Sequence, residues 1–202
     1  MTTYTFPSIT PSSNTFELVT NTRTFKSPLT NSVQTAARKG SLWKVSMTFN
    51  NLTGDDRATM QAFLAKLNGQ QHRFFVQDHG YTKRGVAPSP ADTLLVAGAG
   101  QTGSTLNADG ATLSQTNYLR AGDYIAFNNE LHMVTDDCSS SGIGTIAIPV
   151  APPIRKPTDN NDPIDYLYPV LGVFMLASSA SWDTKPGLVS SFTIDAVEDV
   201  LA

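Results

Sequence analysis

Residues 43–49 alternate without exception. Trp43, Val45, Met47 and Phe49 fall on one side, and Lys44, Ser46 and Thr48 on the other. Period two with one apolar face marks a half-buried antiparallel strand. The period then changes: Met60, Phe63, Leu64 and Leu67 recur at i, i+3, i+4 and i+7, the apolar stripe of a helix spanning Thr53 to Leu67. Thr53 suits its N-cap, with Asp56 three residues on as a capping-box partner. Asp55 and Asp56 complement the positive helix end, Lys66 the negative one, and Gly69 supplies a left-handed exit. His72 to Gln77 reads as a further strand. Upstream, Phe16 to Val19 and Arg23 to Phe25 predict a strand pair.

A different character begins near Tyr81. Gly85 to Gly110 is rich in Gly, Ala, Ser, Thr and Pro, with a short strand at Thr93 to Val96. Tyr124 to Phe127 and Glu130 to Val134 flank Asn128-Asn129, a hairpin whose turn needs the positive φ that Asn tolerates. Gly144 to Ile148 is another strand, expected to close at Pro149 and at Pro152-Pro153. Short strands at this spacing, with no helical pattern among them, predict a small barrel or sandwich. The polar run Thr158 to Pro163 is a boundary, after which Leu171 to Leu176 and the alternating Leu188 to Val197 resume strand material. A first domain interrupted by an inserted one fits this layout, because exposed loop tips accept insertions.

Composition narrows the class. At 202 residues the chain can bury one or two cores, and 40% hydrophobic against 15% charged residues speaks against disorder. A formal charge of -3 leaves no basic surplus for general nucleic-acid binding through phosphate neutralisation, and no sequence-specific nucleic-acid partner is expected. Cys138 is the one cysteine, so no internal disulfide forms. The start has no basic and apolar leader pattern. The longest apolar stretch, Tyr166 to Ala177, is broken by Pro169 and Gly172 and falls short of the ~20 residues of a membrane helix.

The chemistry-bearing residues do not assemble into a site in sequence. Gly98 to Thr105 has the glycine spacing of a phosphate loop but Ser104 stands where lysine is required, and a flexible turn is expected. His132, Asp136, Asp137 and Cys138 lack a second ligand segment, so they read as a solvated strand end. Asp78-His79-Gly80 reads as a turn, with no nucleophile signature beside it. Asp159 and Asp162 lack the Gly and Glu of a calcium loop. The Asn51-Leu52-Thr53 sequon coincides with the helix cap. The expectation is therefore no catalytic residue, no cofactor site and no metal site.

Three stretches resemble the distal tail proteins of long, non-contractile bacteriophage tails. Ser41 to Leu67 is similar to that family's strand-then-helix unit. Arg120 to Phe127 with His132 to Thr135 resembles the accessory domain of some members, and Ser191 to Glu198 their closing strand. The resemblance implies a mainly β chain: a β-sandwich with one helix over residues 1–83 and 165–202, interrupted over 84–164 by a small β-barrel of the oligosaccharide/oligonucleotide-binding type. It implies a hexameric ring in the virion, at the tail tip, made in the host cytoplasm and passing the genome. Its partners would be the tail tube protein and the tip or baseplate hub protein. The alternative is a carbohydrate-binding module for the host surface, with Tyr118, Tyr124 and Phe127 as candidate stacking aromatics.

Overall fold

The computed structural model describes residues 1–38, 40–86, 92–167 and 170–199. In chain order the strands are β1 (Thr3–Tyr4), β2 (Ser13–Val19), β3 (Thr22–Lys26), β4 (Val33–Ala37), β5 (Leu42–Leu52), β6 (Arg73–Val76), β7 (Leu95–Val96), β8 (Gly103–Asp109), β9 (Tyr124–Phe127), β10 (Glu130–Val134), β11 (Ile146–Ile154), β12 (Gly172–Leu176), β13 (Ser181–Lys185) and β14 (Val189–Glu198). The helix α1 (Gly54–Leu67) sits between β5 and β6. The chain is mainly β with one helix, as its periodicities predict.

A seven-stranded sheet runs β1-β6-β12-β14-β5-β2, with β13 paired to β14 beside β12. Its spine is β5 against β14, where Val45 faces Ala196 and Met47 faces Ile194. Trp43, Val45, Met47 and Phe49 are all buried, so the alternation of β5 translates directly into an inner face. Over that face lies α1, burying Met60, Phe63, Leu64 and Leu67. The residues between β1 and β2 carry the chain from one sheet edge to the other across the same face. Phe6, on this strap, packs against Phe63, Phe49 and Phe74 with ring centroids 5.0, 5.8 and 5.9 Å apart.

The second sheet runs β7-β8-β11-β10-β9. Residues 161–165 close it: Asn161 and Ile164 donate to Val96 and Leu94 on one side, while Asp165 and Ala126 exchange hydrogen bonds on the other. The result is a small barrel filled by Leu106, Ile125, Val134, Ile148, Val150, Ile154 and their neighbours. Lys83 Nζ donates to Tyr166 O at 3.2 Å, so the connections into and out of the barrel run side by side. Asp123, fully buried, accepts from the backbone of Arg84, Gly85 and Arg120 at 2.7, 2.8 and 2.9 Å and from Tyr81 Oη at 3.1 Å. A Cβ on Gly85 would lie 2.5 Å from Tyr118 O, so only glycine fits at this crossing.

The β9–β10 hairpin serves both cores. Tyr124, Ala126 and Leu131 face the seven-stranded sheet, while Ile125, Phe127 and Val134 face the barrel interior. Burial on both sides explains why β9 is a continuous apolar run with no alternation. Asn128 and Asn129 make its turn at φ 50° and 61°, the left-handed pair that a two-residue hairpin of this twist requires.

Several expectations need correction. The segments Phe16–Val19 and Arg23–Phe25 do not pair with each other: β2 joins β5, where Phe16 lies opposite Val45, and β3 joins β4. Phe16 and Leu18 pack against the core that Trp43 and Val45 line, so β2 is taken by the sheet. Thr53 is the N-cap by position but makes no side-chain cap bond, so the capping box does not form. The left-handed exit begins at Asn68, one residue before Gly69. Pro149 does not close the strand, since β11 continues to Ile154 with its register shifting between those residues, where prolines cannot donate. The glycine-rich turn ends sooner than expected, because Gly103 to Thr105 already belong to β8. Part of the Gly85 to Gly110 segment, residues 87–91, lies outside the described residues.

Candidate assembly surface

The polar groups that drew notice in sequence are dispersed. Asp78 Oδ1 accepts from Gly80 N at 2.9 Å, and this makes the turn expected at Asp78-His79-Gly80. Asn160 Oδ1 accepts from Gly98 N at 2.8 Å, tying the glycine-rich bend to the Thr158–Pro163 run. Among the described residues, no three His, Cys, Asp or Glu side chains converge as metal ligands. His72, His79 and His132 lie in three separate places: His72 edge-on to Tyr4, His79 beside Gln77, and His132 inside the barrel.

His132 corrects the reading of a solvated strand end. It is completely buried, stacked on Phe127 at 4.7 Å, with Nδ1 2.8 Å from Pro152 O and Nε2 3.3 Å from Glu130 Oε2. Asp136 and Asp137 are exposed, and Cys138 is buried, its thiol pushed up to about 11 by burial. A thiol held neutral in this way is a poor nucleophile.

Glu130 belongs to a buried charge cluster that sequence inspection missed. Arg155 leaves the end of the barrel strand β11 and forks onto Glu198 of β14, Nη1 to Oε2 at 2.8 Å and Nη2 to Oε1 at 2.7 Å. Its Nε lies 3.4 Å from Glu130 Oε2, and its Nη1 also donates to Ser41 O at 2.7 Å. Glu198 accepts in addition from the backbone of Leu131 and Trp43 at 2.9 and 3.1 Å. Burial pushes the Glu130 carboxyl upward, but the His132 and Arg155 contacts outweigh it and hold the group below its usual range. Burial opposes the Arg155 charge too, and Glu198 and Glu130 restore it. The cluster clamps the barrel to the seven-stranded sheet and is closed to solvent.

A cleft of about 570 Å³ opens between the strap and the end of β6, lined by Phe6, Ile9, Met47, Phe75, Leu171 and His79. Its lining is mixed, with Gln77 among the polar members, and burial of His79 lowers that imidazole's affinity for a proton despite the nearby Asp78 carboxylate. Thr5, Ser8 and Thr10 also line it and bring three hydroxyls to the same wall.

The features most open to a partner lie elsewhere. The β3–β4 hairpin forms a two-stranded sheet of its own, hydrogen-bonded to no other strand among the described residues. All of β3 is exposed, and the hairpin presents Phe25, Val33 and Leu29 at 56%, 57% and 93% exposure. It is also the basic part of the chain. Between Glu17 and Asp55 there is no carboxylate, while Arg23, Lys26, Arg38, Lys39 and Lys44 fall there. Of 14 cations and 17 carboxylates, five and one lie in residues 1–54, a net of +4 against −7 for the remainder. A second exposed apolar pair, Trp182 and Leu188, sits on the β13–β14 hairpin. Isolated apolar residues are common on surfaces, but three on one strand pair with no other described strand beside it make this hairpin the candidate contact surface.

The aromatic trio considered for sugar stacking is not available. Tyr118, Tyr124 and Phe127 are at most 5% exposed, their hydroxyls or rings committed to the two cores. Tyr118 Oη donates to Asp92 at 3.0 Å and Tyr124 Oη lies 3.4 Å from Asp78 Oδ2. No protein-family model matches the chain, and no curated protein matches it. No helix among the described residues is long and apolar enough to cross a membrane.

Proposed function

We propose that this chain is a structural subunit of a long, non-contractile phage tail, assembling into a ring between the tube and the tip or hub. The observation that carries the reading is the β3–β4 hairpin, an apolar and basic strand pair that no other strand among the described residues covers. A hairpin of this kind has little reason to persist in an isolated subunit, because two strands alone are marginal in water. A heterologous contact, in which one surface meets a different surface of the next copy, closes into a ring when the rotation closes. The order of elements resembling distal tail proteins supplies the location. The ring would pass the genome and would have the tube protein and the hub protein as axial neighbours. The carbohydrate-module alternative has no observation in its favour, since its stacking aromatics are buried.

Deleting the gene from the encoding phage tests the reading. Filled heads without functional tails are the expected product. Substituting His72, His79 and His132 together by Gln would probe for hidden chemistry. His132→Gln places an amide in a closed site, so the His72→Gln/His79→Gln pair serves as the variant that spares the core. Particles carrying that pair should stay infectious. Intact tails that have lost infectivity would show a ligand-binding or catalytic role and sink the structural reading.

A further inference from the structure

We propose that the β3–β4 hairpin of one copy seats on the free edge of β13 in the next copy, resting on the ring reading above and naming its contact. β13 is hydrogen-bonded to β14 on one side only, and all five of its side chains are exposed. An unprotected strand edge of this kind accepts a further strand through its unpaired N–H and C=O groups. Beside it a groove of about 320 Å³ runs between α1 and β13, lined by Leu64, Ala65, Leu176 and Trp182. Trp182 is 43% exposed although it lies on the Phe192 ring at 6.0 Å, so half of a large indole remains to be covered. Phe25 is the side chain of matching chemistry on the hairpin, and aromatic anchors in shallow apolar grooves carry much of the energy of such contacts.

Charge favours the same occupant. The hairpin offers Arg23 and Lys26 with no carboxylate of its own. β13 itself carries one carboxylate, Asp183, and one ammonium, Lys185, on its outward face, where Asp183 lies opposite Ser191 and Lys185 opposite Val189; the acidic balance is that of residues 55–202 as a whole, 9 cations to 16 carboxylates. A basic arm and an acidic remainder on one chain attract between copies, and Asp183 on the receiving strand is the carboxylate within that strand for Arg23 or Lys26. The hairpin and β13 are different surfaces, so a contact made once per pair leaves a hairpin free at one end and a β13 edge at the other, and it closes into a ring where the rotation allows; a reciprocal exchange between two copies would stop at a dimer and give no ladder.

The test uses assembled tails from phage carrying Phe25→Cys with Trp182→Cys. The native Cys138 is buried and serves as the unreactive background. Mild oxidation of purified particles should convert the chain into a ladder of disulfide-linked multimers on a non-reducing gel. Each single variant should give no more than a tenth of that linkage. If Phe25→Cys and Trp182→Cys together impair assembly, Thr24→Cys with Asp183→Cys reports the same edge from residues that bury nothing. Rings visible at the tail tip without a ladder from either pair would overturn the proposed contact and leave the ring reading standing. A strong dimer band from Phe25→Cys alone would also overturn it, by showing hairpin meeting hairpin. Tails that carry this chain without a ring would overturn both.

Discussion

Replacing Arg155 by Met leaves two carboxylates in the interior without their cation. Glu130 and Glu198 are 1% and 2% exposed, and Arg155 supplies the only guanidinium within 4 Å of them. Each keeps backbone donors, Glu130 from Arg155 and Lys156 and Glu198 from Trp43 and Leu131, but those donors were arranged for a neutralised pair. Removing one partner of a buried ion pair costs about 3–5 kcal/mol, because the surviving charge stays desolvated. For a chain of this size that corresponds to a fall in Tm of roughly 6–20 °C. Urea unfolding followed by fluorescence of Trp43, whose indole donates to Leu131 O at 2.9 Å beside the cluster, gives the free energy directly. Arg155→Lys should fall between the two, keeping the charge and losing the fork. Adding Glu198→Gln to Arg155→Met should recover part of the loss by removing one stranded charge. A cost below about 1 kcal/mol for Arg155→Met would refute the clamp and place water in the cluster.

Three further outcomes follow from the same structure. Phe63→Ala, which strips the 7%-exposed ring from between Phe6 and Phe74, should cost about 3–5 kcal/mol in denaturant unfolding; a loss under about 1 kcal/mol would undo the helix orientation. Stability should fall on acidification below the ordinary Glu value of 4.5: the folded Glu130 carboxyl is held lower, so its contribution is full above 4.5 and is lost as pH drops through the depressed value. Thermal melts from pH 7 to pH 3 would show it, and an Arg155→Met variant with an undiminished acid slope would contradict the assignment. Replacing residues 84–164 by a short Gly/Ser linker removes Tyr124, Ala126 and Leu131 from the first core and exposes Trp43 and Phe174; the remainder should melt well below the full chain, and an equal Tm would deny the shared hairpin.

The periodic elements were legible because one face of each is buried. The β5 alternation, the α1 stripe and the Asn-Asn hairpin all appear where the pattern places them. What escaped the sequence lacked that asymmetry. The described side chains of β3, β4 and β13 are all exposed, so no period marks β4 or β13, and the partner of β3 is invisible before the fold exists. β11 was cut short because Pro149, Pro152 and Pro153 read as stops, whereas the strand tolerates them at a register shift. The charge cluster joins Glu130, Arg155 and Glu198 across 68 residues, and no local spacing announces it. His132 looked like one of several polar residues at a strand end, yet β10 is buried on both faces and takes its histidine with it. The proposed assembly surface was hidden for the opposite reason: exposed Phe25, Leu29 and Val33 become informative only once the structure shows that no strand among the described residues covers them.

Electron microscopy of phage particles labelled on this chain tests the central claim most directly. A small tag at Ile143, 82% exposed on a barrel loop far in sequence from both proposed contact strands, leaves the hairpin and β13 untouched. The account predicts label confined to a single closed ring where the tail tube meets the tip, with the same position in every particle. Label distributed along the tube, on the head, or absent from purified infectious particles would contradict it.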